Sequence, residues 1–518
     1  MRRRSFLRLL ATAIYLPLAP LQRWRRPPPK DRLTFSPIGR YSDDRIHVAA
    51  GHRATPLIRW GDPLFSDAPA FDPAVLTAAA QGRQFGYNCD YVGYLPLPAG
   101  SDESNRGLLT VHHEYTNPEL MFLGYDPAAP TREQVDVQLA AHGISIVEVA
   151  RSRTGDWSQT TASSFNRRIT ATTPLDVTGP AAGHMWLRTE DYPRGTTVPG
   201  TLANCSAGIT PWGTVLSAEE NFHLYFGRRD RIDDGVIRSI HGRYGVPRRK
   251  SYYGFETQAR EFDLVANPTG PFAFGWVVET DPYDANWKPR KRTALGRIRR
   301  EGATCVVAPS GRVAVYSGED IAFEYVYKFV TRDAYDPGRR ERNLDLLDHG
   351  TLYAARFDHD GTGLWLPLVH GVGPLKASNG FDSQGDVVMD VLDAADRMVP
   401  TRMDRPEDIK VSPRTGRVYI ALTSNVLRGE EGYLGPDPSN PRPVNRHGHI
   451  IELTEQGGDH AALRFSWRVF MLCGEPTEPD TYFAGFPKAL VDAISRPDNL
   501  TFDRLGNLWV ATDGQART

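Results

Sequence analysis

The sequence predicts an all-β chain and, more narrowly, a β-propeller with long inserted loops. Three observations carry that prediction. Glycine (47) and proline (40) are frequent in the 518 residues, a composition that sheets and turns use and helices tolerate poorly. A strand–turn–strand pattern recurs with inserts of varying length, as successive propeller blades require. The flanks of those hairpins repeat too, with polar or acidic residues before the first strand and after the second. At 40% hydrophobic and 24% charged residues the chain has a globular composition. Its 61 Lys and Arg against 62 Asp and Glu leave a net charge of −1, without the basic excess of a nucleic-acid binder.

The N-terminal run Met1-Arg2-Arg3-Arg4-Ser5-Phe6-Leu7-Arg8 reads as a twin-arginine targeting segment. The apolar stretch from Leu9 to about Leu21 is broken by Pro17 and Pro20. It is too short to span a bilayer, which takes about 20 apolar residues. A basic N-terminus beside a short membrane anchor is the alternative reading. Residues 1–30 are thus assigned to a signal and a proline-rich linker, and residues 31–518 to one propeller domain. The expected partner is the twin-arginine export machinery, and the expected location is periplasmic or secreted. No other apolar run approaches membrane length.

The hairpins follow in chain order. Leu108-Leu109-Thr110-Val111 is preceded at a distance by Asn88-Cys89-Asp90 and followed by His113-Glu114. Gly208 to Leu216 turns at Pro211-Trp212-Gly213, with Asn204-Cys205 before it and Glu219-Glu220-Asn221 after. Cys305 to Tyr316 turns at Pro309-Ser310-Gly311, between Arg300-Glu301 and Gly318-Glu319-Asp320. Ile409 to Ile420 turns at Pro413 to Gly416, between Arg405-Pro406-Glu407-Asp408 and Ser424-Asn425. Leu500 to Val510 turns at Gly506, between Pro497-Asp498-Asn499 and Asp513. Each turn places a glycine where positive φ is needed. Cys205 and Glu407 even stand at the same distance from Pro211 and Pro413.

In a propeller the innermost strands begin and end near the central channel, so these flanks are expected to converge at one mouth. Taken singly, each position is a polar turn residue facing solvent. Taken as a set, they form a ring of like charge that cannot stay ionised without cations. A multi-metal site follows. Oxygen donors without clustered imidazoles suit hard cations such as Ca²⁺, Mg²⁺ or Mn²⁺, and the thiol of Cys205 favours a softer or redox-active metal beside them. His112 and His113 could contribute, but no partner histidine stands at zincin spacing. The four cysteines (Cys89, Cys205, Cys305, Cys473) are too scattered for a zinc finger. Two buried pairs or four core thiols remain open, and a core role is preferred for Cys305 and Cys473. The sequence has no G-x-S-x-G, Walker loop or dinucleotide fingerprint.

Several ordered motifs resemble the PhoX-type alkaline phosphatases. They include Phe85-Gly86-Tyr87-Asn88, His113-Glu114-Tyr115-Thr116, Cys205-Ser206-Ala207-Gly208, Thr210-Pro211-Trp212-Gly213-Thr214, Lys291 to Arg297, Phe323 to Phe329 and Arg405-Pro406-Glu407-Asp408. The resemblance runs from about Phe85 to Asp513. It implies a twin-arginine-exported, six-bladed propeller that hydrolyses phosphate esters with a cluster of iron (Fe³⁺) and calcium (Ca²⁺). By resemblance, Cys205 is the iron thiolate, and Glu301 and Glu407 are carboxylates on the iron pair. Arg405 would clamp the phosphate. Glu220, Glu114, Asp320 and Asp498 would be calcium or supporting positions. A small phosphoester substrate and a monomeric state complete the expectation.

The sequence departs from the family pattern at His112 and Cys89, where asparagine is expected, and at Arg300, where histidine is expected. Only five flanked hairpins can be counted, so the sixth blade is expected to be missing and the Leu500–Val510 hairpin poorly covered. Strands near Phe35 or Ile46-His47-Val48 could instead close that edge. Two rival readings follow: an inactive propeller used as a binding or envelope scaffold, and a calcium-dependent esterase or lactonase.

Overall fold

The computed structural model describes residues 35–39 and 41–514. The twin-arginine motif lies outside the described residues. Two units separate, one ending at Thr55 and one running from Pro56. In the first, the Tyr41 ring stacks on His47 with centroids 3.5 Å apart. The second carries the described strands and helices.

That second unit is built from blades of four to six strands and a final two-stranded hairpin, with a hairpin at the inner edge of each blade. Blade 1 runs Cys89–Pro96, Arg106–His113, Gly143–Arg151 and Trp157–Gln159, with Arg167–Ile169 also pairing on the third strand. Blade 2 starts from Asn204–Ile209 and Val215–Glu219 and extends outward through Val277–Thr280. Blade 3 starts from Thr304–Val307 and Arg312–Gly318, and blade 4 from Pro406–Val411 and Val418–Leu422. Their outer strands Thr362–Pro367 and Arg464–Leu472 pair, joining both blades in one sheet. Blade 5 is the two-stranded hairpin Pro497–Phe502 and Leu508–Thr512. The propeller that the repeats predict is the fold observed.

The sequence signals act locally as expected. Gly213, Gly311, Gly416 and Gly506 all hold positive φ, between 67° and 84°, in the hairpin turns. Long inserts leave blades 2 and 3 and return to pack beside them. The largest core joins residues of one insert (Phe226, Phe255, Phe262) to strand residues such as Val277 and Val315. Between blades 3 and 4, Lys328 donates to Glu455 at 2.8 Å, with both side chains buried. Tyr316 donates to the same carboxylate at 2.6 Å. A satisfied buried ion pair of this kind adds little net stability, but removing one partner would leave a buried charge at a cost of about 3–5 kcal/mol.

Blade 5 pairs only with itself among the described residues. Its apolar side chains are nevertheless covered on one face. Leu500 is buried against Tyr419, Ala421 and Ile450 of blade 4, with Phe502, Leu508 and Val510 packed beside them. Trp509 stays 41% exposed. The neighbouring face that this hairpin requires is the one supplied by blade 4.

Candidate metal centre

The inner end of every hairpin slips register in the same way. In blade 1, Cys89 pairs with His113 and Val92 with Val111, so Asp90 and Tyr91 face the single residue His112. In blade 2, Cys205 and Ser206 face Ala218. In blade 4, Glu407 and Asp408 face Ala421. In blade 5, Asp498 and Asn499 face Ala511. Blade 3 does the equivalent, because Arg300 bridges to Glu319 before Thr304 pairs with Tyr316. Glu301 thus opens its bulge. A bulge breaks the two-residue alternation and re-aims a side chain.

The first residues of the five bulges are Asp90, Cys205, Glu301, Glu407 and Asp498. Two residues upstream stand Asn88, Ala203, Arg405 and Arg496, all left-handed with φ of 40–55°. Such a conformation costs a non-glycine residue about 1–3 kcal/mol and concentrates at functional sites. Arg405 therefore does not lie on an extended strand with Glu407, as the i, i+2 spacing suggests. The left-handed turn brings the two together instead, with Nη2 3.2 Å from Glu407 Oε1. From the far strands come Glu114, Glu220 and Asp320, each just after the residue that pairs with the start of its hairpin.

These groups meet. Ligand atoms of Asp90, Glu114 and Cys205 lie within 4.8 Å of one another, as do those of Cys205, Glu220 and Glu301. So do Glu220, Asp320 and Glu407, and likewise Glu301, Glu407 and Asp498. The sets share members, so eight residues form one continuous cluster. Seven of them are the metal positions expected from sequence. The eighth, Asp90, stands in the Asn88-Cys89-Asp90 flank, but the sequence does not single it out as a metal position. Its offset from the strand pairing was the available signal.

Local contacts hold the cluster in place. The Cys205 thiol donates to Glu301 Oε2 at 3.0 Å, and Asn499 Nδ2 donates to Glu301 Oε1 at 2.8 Å. Asn221 Nδ2 donates to Glu220 at 2.7 Å. Arg405 Nη2 donates to Asp320 Oδ2 at 2.7 Å, while Nη1 reaches Ser424 Oγ at 3.4 Å. Its side chain keeps 31% exposure, so the guanidinium stands between the cluster and solvent.

Burial, reinforced by neighbouring carboxylates, raises the acids. Asp90 is pushed up to about 6, Glu114 to about 8 and Asp498 to about 7. Glu220, Glu301 and Glu407 are held well above the usual carboxylate range for the same two reasons. Burial likewise lifts the Cys205 thiol, with Asp90 and Glu301 adding to it. One oxygen each of Asp90 and Asp320 is buried without a protein partner. A buried orphan oxygen among repelling acids calls for a positive ligand. The donor set fits hard cations on the carboxylates and a softer one where the thiol stands.

Other expected contributors turn away. His112 Nδ1 lies 2.6 Å from the Cys205 carbonyl, and His113 is taken up by Tyr87 O and Ser145 Oγ. Arg300 is buried and donates to the carbonyls of Leu295 and Gly296. All four cysteines are free thiols, with Cys473 buried, Cys305 half-buried and Cys89 exposed. Asp503 lies in the blade 5 turn, where it accepts from Asn507 and Leu505.

The sequence model of the family "Alkaline phosphatase PhoX" matches residues 33–518. The chain belongs to the PhoX family. It is accordingly an enzyme of the phosphoric ester hydrolase class. Pseudomonas fluorescens PhoX, solved in complex with vanadate, a transition state analogue, superposes with a TM-score of 0.85. The two share 40% identity over 93% of this chain and 83% of that one. Among curated relatives nothing matches. Among the described residues of this PhoX-family chain, no helix is long and apolar enough to cross a membrane.

Proposed function

We propose that this chain is an exported, metal-dependent phosphomonoesterase whose cluster holds both iron and calcium. The single observation that carries the reading is the meeting of eight ligand residues, five from repeated bulges and three from the facing strands, in one cluster. Cys205, Glu301 and Glu407 would hold iron, with Asp90, Glu114, Glu220, Asp320 and Asp498 left to calcium or to support. Cations there would polarise the phosphoryl group and make water a better nucleophile. The family match and the vanadate complex of the Pseudomonas fluorescens relative support the phosphoester as substrate.

The chain's own residues then do three things. Arg405 is near enough to the cluster, and exposed enough, to bind the equatorial phosphate oxygens through its planar fork. Asn499 and Asn221 orient Glu301 and Glu220 by donating to one oxygen of each, leaving the other oxygen directed elsewhere. The bulge backbones hold these groups without a side-chain nucleophile, in keeping with the missing serine motif. Delivery by the twin-arginine route to the periplasm or beyond fits the Arg2-Arg3-Arg4 segment. The test is chelation. Prolonged EDTA treatment should abolish hydrolysis of a simple phosphomonoester, and iron plus calcium together should restore it. Full activity in chelator would overturn the reading.

A further inference from the structure

At the bulge-facing position of the far inner strand, four blades carry small residues: Ala218, Gly318, Ala421 and Ala511. Blade 1 carries His112 there, fully buried. The contrast has a spatial cause. A Cβ added at Gly318 would run into the carbonyl oxygens of Pro406 and Glu407, the first bulge residue of the next blade. The equivalent carbonyl beyond blade 1 is that of Cys205, and His112 Nδ1 lies 2.6 Å from it. A carbonyl can only accept, so Nδ1 carries the proton and donates. Ser217 Oγ, 3.3 Å from the same nitrogen, also accepts from Asn204 and fixes the ring from behind. Tyr91, on the blade 1 bulge, packs on the ring with centroids 5.1 Å apart.

From this arrangement we infer that His112 is the positioning residue for the Cys205 thiol. The Cys205–Ser206 bulge lifts Cys205 out of the regular ladder. Its peptide plane is then free to tilt, and the tilt sets where Sγ points. The His112 donor holds that plane from the neighbouring blade. Blades 3 and 4 need no such prop, since their backbones already touch. The inference rests on Cys205 being a metal ligand, as proposed above. Partners one bond removed from a ligand typically change metal affinity about 10–100-fold when lost.

The test compares His112→Leu, which removes the donor, with His112→Asn, whose amide can still donate. Iodoacetamide labelling of Cys205 is mapped by mass spectrometry in the iron- and calcium-loaded full chain, and iron retention is followed during dialysis. Wild type and His112→Asn should protect Cys205 and keep iron equally. His112→Leu should label at least about tenfold faster and lose iron about 10–100-fold more readily. The thiolate-to-iron absorption band should weaken or shift in that variant alone. Equal protection, iron retention and spectra in His112→Leu would overturn the inference. If metal fails to protect Cys205 even in wild type, the ligand reading itself fails, which is a distinct outcome. A thermal melt of each variant separates a folding defect from a positioning one. Should His112→Leu not fold, a His112→Asn variant with wild-type melting but unprotected Cys205 would equally overturn it.

Discussion

At the scale of single residues, Arg405 and Cys205 carry the sharpest consequences. Arg405 bonds Asp320 and approaches Glu407 while remaining partly open to solvent. Arg405→Lys keeps the charge but gives up the fork, and a point charge cannot make two parallel contacts to phosphate. Turnover of a phosphomonoester should fall about 10²–10³-fold, the loss typical of a transition-state donor, with metal content unchanged. Steady-state kinetics and elemental analysis on one preparation check both halves. Cys205 is buried and bonded to Glu301, so Cys205→Ser preserves shape and a donor while removing the sulfur. Iron content and any visible colour should disappear while the circular dichroism spectrum stays native. Asp90→Asn keeps the volume and removes a charge from the group that joins Cys205 to Glu114. Its calcium content should drop below wild type, measurable by elemental analysis.

At the scale of elements, the recurring device is the bulge after a left-handed residue. The sequence made its existence legible but not its form. Repeated flanks placed Glu301, Glu407 and Asp498 in one cluster, because a hairpin that repeats in sequence repeats in space. The one-residue slip that brings Asp90 forward, rather than Cys89, belongs to strand pairing and leaves no composition signal. The left-handed backbone of Arg405 is equally invisible, since arginine has no preference for it. His112 was legible only as an unexpected residue, because its partner is a backbone carbonyl 93 positions away. The close approach of blades 3 and 4 is testable at the same scale. Gly318→Ala would press a methyl onto the Pro406 and Glu407 carbonyls. Overpacking against backbone costs about 1–3 kcal/mol. Melting should drop by several degrees, and phosphatase activity should fall further than stability alone explains, because Glu407 moves with the strand. Wild-type melting and kinetics would mean that the junction yields freely.

At the scale of the whole molecule, five blades donate acids to one place, so the fold stores repulsion that either protons or bound cations must relieve. Blades 3 and 4 are tied by a shared sheet and by Lys328–Glu455, while blade 5 is held through its apolar face on blade 4. The cluster lies where all the blades meet, and its charge state therefore bears on global stability. In the folded, metal-free chain Asp90, Glu114 and Asp498 keep their protons up to about 6, 8 and 7. In the unfolded chain the same groups titrate near 4. These acids make the folded state bind more protons than the unfolded one. Buried His112, His142, His223, His241, His449 and His460, held at about 3–4 by burial, do the opposite below about pH 6.5. Above it the acids alone act, and stability falls as pH rises toward about 8. A cation bound at the cluster would reverse the sign of the effect, because it favours the ionised carboxylates and binds the folded state. Chelator-treated protein should therefore show a melting temperature that declines from about pH 7 toward about pH 8, and the same protein with excess calcium should show a flat or rising profile. A metal-free profile that rises with pH over this range would mean that the acids are already neutralised by groups within the chain, and the cluster would lose its physical claim to cations.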